Sequence, residues 1–123
     1  MEAMRNSEAP HTDFGFLRGV IPTNPLFMPS NVDMMLERRG KFLIGEWKRP
    51  LEKISKGQEI LLKRLADQQN FSVIIIEGHS DHTGTEVVAI KRFDNEGNTW
   101  TVAKGIDGLK KLIRDWYNKV EGK

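Results

Sequence analysis

Residues 33–50 read DMMLERRGKFLIGEWKRP, and this stretch decides how the chain is organised. Two runs of strand-like composition, 31–38 and 41–48, flank Arg39-Gly40. A two-residue connection containing glycine marks a tight hairpin, because the favoured turns need positive φ and glycine adopts it without strain. The turn also sets the register. Arg38 faces Lys41, and each step outward keeps the two residue numbers summing to 79, so Asp33 is expected opposite Glu46. Side chains alternate along a strand, which puts Glu46 and Lys48 on one face, and directly opposed residues share a face. Asp33, Glu46 and Lys48 are therefore expected to converge. One extra residue in the turn would shift the register and undo the pairing.

Two opposed carboxylates are costly without a partner. Opposed side chains begin about 5 Å apart at Cβ. At an effective dielectric near 20, two like charges at that separation repel by about 3 kcal/mol. That is appreciable against the roughly 5–15 kcal/mol that stabilises a small domain. Two arrangements meet the cost. A cross-strand acid–lysine cluster on a solvated sheet face would let Lys48 and water screen the acids. Alternatively, two carboxylates held on a strand pair suit a hard cation such as Mg²⁺, with the Trp47 carbonyl as a further oxygen ligand.

Outward from the hairpin, Ser55 opens a helix expected to run to about Gln69, with Leu61, Leu62 and Leu65 as its apolar stripe. Phe71–Ile76 is a continuous apolar run, the pattern of a central strand buried on both faces. Thr85–Phe93 and Thr99–Lys104 flank DNEGN and read as a second hairpin. The last helix, GLKKLIRDWYNKV, carries Leu109, Leu112, Ile113, Trp116 and Val120 on one face. Upstream, Pro10, Pro22, Pro25 and Pro29 break any long helix before residue 30, leaving a short helical turn around Phe14–Arg18. The expected fold is α/β, a mixed sheet flanked by helices. One domain spans 1–123: an irregular segment over 1–28, a core over 29–78, and a hairpin plus helix over 85–123.

Composition bounds the chemistry. The 123 residues are 38% hydrophobic and 29% charged, ordinary for a folded chain, and the net charge of +2 permits a polyanionic partner without demanding one. No cysteine is present, which excludes a disulfide scaffold, a thiolate zinc site and a cysteine nucleophile. The first residues lack the apolar core of a signal peptide and no run approaches membrane length, so a cytoplasmic protein is expected.

Asn-Val-Asp33, then Glu46-Trp-Lys48, then a helix carrying Gln58, resembles the core of the PD-(D/E)XK nuclease superfamily, which includes restriction endonucleases, Holliday-junction resolvases and exonucleases. The resemblance covers about residues 29 to 78. It implies a restriction-endonuclease-like fold and Mg²⁺-dependent hydrolysis of DNA, with Mn²⁺ as a substitute. Asp33, Glu46 and the Trp47 carbonyl would bind one or two metal ions, and Lys48 would orient the attacking water. Val32 stands where the family name has proline. Many members also place an acid on an upstream helix; Glu2, Glu8 and Asp13 are available, and none aligns. Gln58 has two readings. In several branches a glutamine early in this helix contacts the water or a phosphate, and Ser55-x-x-Gln58 equally satisfies a helix capping box. The resemblance also leaves room for a non-catalytic nucleic-acid-binding or assembly module of the same fold, and a homodimer would supply two sites for two strands.

Other constellations are weaker. His79, Asp81 and His82 could ligate a transition metal, but their spacing and flanking glycines read as a polar loop between strands. Arg49 could meet a phosphate. Lys53, Lys56, Lys63 and Arg64, like Lys110, Lys111 and Arg114, read first as solvated helix faces. Trp47, on the face opposite Glu46, and Trp116 read as core.

Overall fold

The computed structural model describes residues 13–123. It divides into two compact units, one ending at Asn31 and one running from Val32 to Lys123. Glu2, Glu8 and Pro10 lie outside the described residues. Among the described residues of the first unit a 3-10 turn spans Phe14–Leu17, where the Asp13 carboxylate accepts the Gly15 N–H at 2.7 Å. Successive turns follow, one closed by Gly19 N–H donating to the Pro25 carbonyl at 2.8 Å.

The second unit is an α/β sandwich. Its strands are β1 (Met34–Arg38), β2 (Lys41–Lys48), β3 (Phe71–Asp81), β4 (Gly84–Phe93) and β5 (Thr99–Ala103), in that order across one sheet. Helix α1 (Lys56–Ala66) crosses from β2 to β3, and α2 (Gly105–Val120) closes the chain. β2 and β3 pair in parallel, and all other neighbours are antiparallel. The parallel pair follows from the helix between them, since parallel strands need a long crossover.

The first hairpin forms in the expected register, from Arg38↔Lys41 to Met34↔Gly45. Arg39 and Gly40 both have positive φ, 54° and 78°, the conformation of a type I′ turn. One correction applies to the upstream boundary. β1 begins at Met34 rather than residue 31, so Asp33 lies just beyond the ladder. A second concerns GHSDHTG. It is not a loop throughout: β3 continues to Asp81, pairing His79 with Glu86 and Asp81 with Gly84, and only His82 and Thr83 turn. Backbone pairing extends the strand although the side chains are polar and exposed. α1 ends at Ala66, three residues before Gln69.

Each face of the sheet carries its own core. On one, Leu43, Ile74, Ile76, Val87 and Ile90 pack with Trp47 and with Leu109, Leu112, Ile113 and Trp116 of α2. On the other, Ile44, Val73, Ile75 and Phe93 pack with Leu62 and Leu65 of α1. Each such fully buried aliphatic side chain contributes about 1.5–3 kcal/mol. Trp47 and Trp116 are core-packed, as their positions in the sequence indicate.

Candidate active site

Alternation along β2 places Ile44, Glu46 and Lys48 on the α1 face. Ile44 joins the core there, whereas the next two positions on that face are charged. Glu46 is only 5% exposed and Lys48 only 7%. Burying two charges is expensive unless they are partnered, and here the partner is an amide. Gln58, in the first turn of α1, accepts from Lys48 Nζ at 2.6 Å and donates through Nε2 to Glu46 Oε1 at 2.8 Å. One side chain thus satisfies both groups and separates them. Lys48 meets this neutral oxygen rather than being quenched by a carboxylate.

The two readings of Gln58 combine differently from a capping box. Its backbone N–H donates to Ser55 Oγ at 3.2 Å, so Ser55 caps α1, but its side chain turns to the sheet instead of back to the cap. The cap fixes the first turn of α1, and with it the origin of the bridging side chain.

Asp33 joins this group from beyond the end of β1. Its Oδ2 accepts the Trp47 N–H at 2.8 Å, replacing the ladder partner that β1 no longer supplies. A strand residue directs its N–H and C=O toward the same neighbour, so the Trp47 carbonyl also opens toward the Asp33 side. Burial first, and then the adjoining Asp33 carboxyl, push the Glu46 pKa up to about 7, while Lys48 and Gln58 oppose the rise. The expected convergence of Asp33, Glu46 and Lys48 is therefore present, although Asp33 reaches Glu46 by its side chain and not through a ladder pair.

The donor set suits a hard cation: two carboxyl groups pressed together, whose mutual repulsion a cation would relieve, with a backbone carbonyl on the same side. Among the described residues no three His, Cys, Asp or Glu side chains are close enough to hold an ion. Any ion at Asp33 and Glu46 would complete its shell with the carbonyl, water and substrate oxygens.

Asp33 also borders a cleft of about 970 Å³ on the α2 side, together with Trp47, Arg49, Glu52, His79 and Asp81. The cleft opens at the carboxyl ends of the parallel β2 and β3, the end at which α/β sheets usually bind ligands. Gly78 makes room there. A Cβ at Gly78 would lie 2.9 Å from the Trp47 ring and 2.2 Å from the Glu86 carbonyl. Arg49 is held by a tight turn in which its N–H donates to Glu52 Oε1 at 2.9 Å, and the next residue but one, Leu51, adopts φ 69° while 97% exposed. A branched residue in that region is strained, and such strain concentrates at functional sites.

His79 and Asp81 stand on β3 and His82 in the turn; the Asp81 carboxylate is engaged by the Thr83 hydroxyl and N–H, which lowers its pKa. Two charged residues escaped the sequence reading. Glu77 is the register partner of Lys48, and Lys91 Nζ lies 3.0 Å from Glu77 Oε2. Both share the α1 face with Glu46. The available signal was the abrupt acid after Phe71–Ile76: Glu77 repeats on β3 what Glu46 and Lys48 do on β2, an apolar face turning polar near its carboxyl end.

Comparison of the chain with protein-family models, with curated proteins and with solved structures finds no match in any of the three.

Proposed function

We propose that the chain is a metal-dependent nuclease of the PD-(D/E)XK type, hydrolysing phosphodiester bonds in DNA. The observation that carries this reading is the buried Glu46–Gln58–Lys48 chain with Asp33 at its edge. A protein stabilised by apolar packing gains little from an acid pair that repels and a lysine bonded to an amide. For phosphate hydrolysis each piece has work to do.

Asp33, Glu46 and the Trp47 carbonyl would hold one or two Mg²⁺ ions, with Mn²⁺ as a substitute. Bound there, the cation supplies a water of lowered pKa and charge stabilisation at the phosphate. Lys48 orients the attacking water through Nζ, and Gln58 keeps that Nζ in place. Lys53 and Lys56, exposed at the start of α1 and without an ion pair among the described residues, position the backbone. Two helices on one sheet offer little apparatus for reading sequence, which favours cleavage guided by DNA structure, such as a junction or branch. Cutting both strands calls for two sites, which a homodimer would supply, in a cytoplasmic setting. No helix among the described residues is long and apolar enough to cross a membrane.

The test is incubation with duplex, single-stranded, flap and four-way-junction DNA in Mg²⁺, Mn²⁺ or EDTA. Cleavage in either metal, abolished by EDTA and by Asp33→Asn, is the expected result. Binding to these substrates without cutting in any condition would favour the non-catalytic module instead.

A further inference from the structure

A second cleft, of about 740 Å³, lies on the α2 face at the opposite end of the strands, where β2 and β3 begin. Its floor is apolar, with Leu43, Leu112 and Trp116. Its rim is basic, with Lys41, Arg92, Lys104, Lys111 and Lys119 against one acid, Asp115. Asp115 is already taken, lying 2.7 Å from Lys111 Nζ. Lys41 Nζ donates to the neutral Asn70 Oδ1 at 2.7 Å. Lys41, Arg92, Lys104 and Lys119 are all exposed, and none has an ion pair among the described residues.

We propose that this cleft binds the phosphodiester backbone of a nucleic-acid strand, at a place separate from the Asp33–Glu46–Lys48 group. Four exposed cations around one concavity raise the local positive potential well above what a net charge of +2 would give. Their spread selects the ligand. Lys104 caps the start of α2 and Lys119 lies in its last turn. Fifteen helical steps separate them, about 22 Å. A single small phosphate cannot reach both, whereas a chain of phosphates can run from one to the other past Arg92 and Lys41. The partly exposed Trp116 in the floor offers an aromatic face to a base, the combination of basic track and stacking platform by which single strands are held. This inference stands apart from the nuclease reading: it concerns affinity, uses none of the same residues, and survives if the chain cuts nothing.

The test measures binding in EDTA, where cleavage cannot intervene, by fluorescence anisotropy of a labelled oligothymidine at 50–200 mM salt. The variants are Lys104→Glu with Lys119→Glu, and Arg92→Gln with Lys119→Gln in case charge reversal impairs folding, each checked by thermal melting. The charge-reversed pair should bind at least tenfold more weakly. Its dependence of log affinity on log salt should flatten by about 1.4, the loss of two single-strand phosphate contacts. The neutralised pair should show a similar flattening with a smaller loss of affinity. Unchanged affinity and salt slope in folded variants would overturn the proposal. So would displacement of the strand by polyglutamate as effectively as by unlabelled oligonucleotide, because the surface would then take an acidic peptide. Intact rim effects without metal-dependent cutting would refute only the nuclease reading. Cutting with no rim effect would refute only the cleft.

Discussion

Glu46→Gln provides a test of the electrostatics at the acid pair. The change removes the titrating oxygen but keeps the side chain's size and an amide oxygen for Gln58 Nε2 to meet. In the folded protein the Glu46 pKa is raised from 4.5 to about 7. The folded state therefore holds a proton that the unfolded state releases between those values, and stability falls as pH rises through that window, levelling off above it. Taken whole, a shift of that size corresponds to about 3 kcal/mol. Asp33 is exposed at the rim, so solvent screening reduces this to about 1–3 kcal/mol. Urea unfolding in EDTA at pH 5 and pH 8 measures it. The unaltered protein should lose about 1–3 kcal/mol relative to Glu46→Gln on going from pH 5 to pH 8, and at pH 8 the variant should be the more stable of the two. Adding Mg²⁺ at pH 8 should raise the melting temperature of the unaltered protein and leave the variant nearly unmoved. Parallel pH profiles for the two proteins, or a variant less stable at pH 8, would refute the reasoning.

Other substitutions separate the roles of the neighbours. Asp33→Asn keeps an oxygen for the Trp47 N–H and relieves repulsion with Glu46, so the metal-free protein should be equally or more stable by urea unfolding while metal binding weakens and cutting is lost. Lys48→Ala should preserve metal binding by calorimetry and lose turnover, since on the proposed reading its Nζ serves the water and phosphate rather than the metal. Ser55→Ala should cost about 0.5–2 kcal/mol of stability with activity per folded molecule intact. Gln58→Ala leaves the backbone cap in place but orphans Lys48 and Glu46, so cleavage should fall well beyond any loss of melting temperature. The double change His79→Ala with His82→Ala should leave metal-dependent cleavage unchanged; loss of cleavage together with a bound transition metal would reassign the site to those histidines.

The hairpin and its register were legible because Arg39-Gly40 allows few geometries and the register then propagates by counting. The convergence of Glu46 and Lys48 was legible for the same reason. Asp33 was legible only in part. Its proximity to Glu46 follows from the count, but that it leaves the ladder and bonds the Trp47 N–H depends on where β1 stops, and strand ends carry no periodic signal. The extension of β3 through His79 and Asp81 was hidden because backbone hydrogen bonds, such as those pairing His79 with Glu86, leave no mark on side-chain pattern. The bridging by Gln58 was hidden because Ser55-x-x-Gln58 fits a cap equally well, and sequence cannot tell toward which of two near partners a flexible amide turns.

The parallel pairing of β2 with β3 has a consequence for the order of assembly. β1–β2 and β3–β4–β5 each close through tight local turns, whereas β2 meets β3 only around the 22-residue crossover from Arg49 to Asn70. Loop closure delays such long-range pairing relative to hairpins. The two antiparallel halves are thus expected to form first and zip together afterwards along one seam. φ-values near zero for Ile44→Val and Ile75→Val, with high values in the β3–β4 hairpin, would report that sequence of events, and the reverse pattern would contradict it. Glu46 and Lys48 are desolvated on that seam as α1 settles over it, so this burial of charge is encountered late, when most of the sheet already exists to hold it.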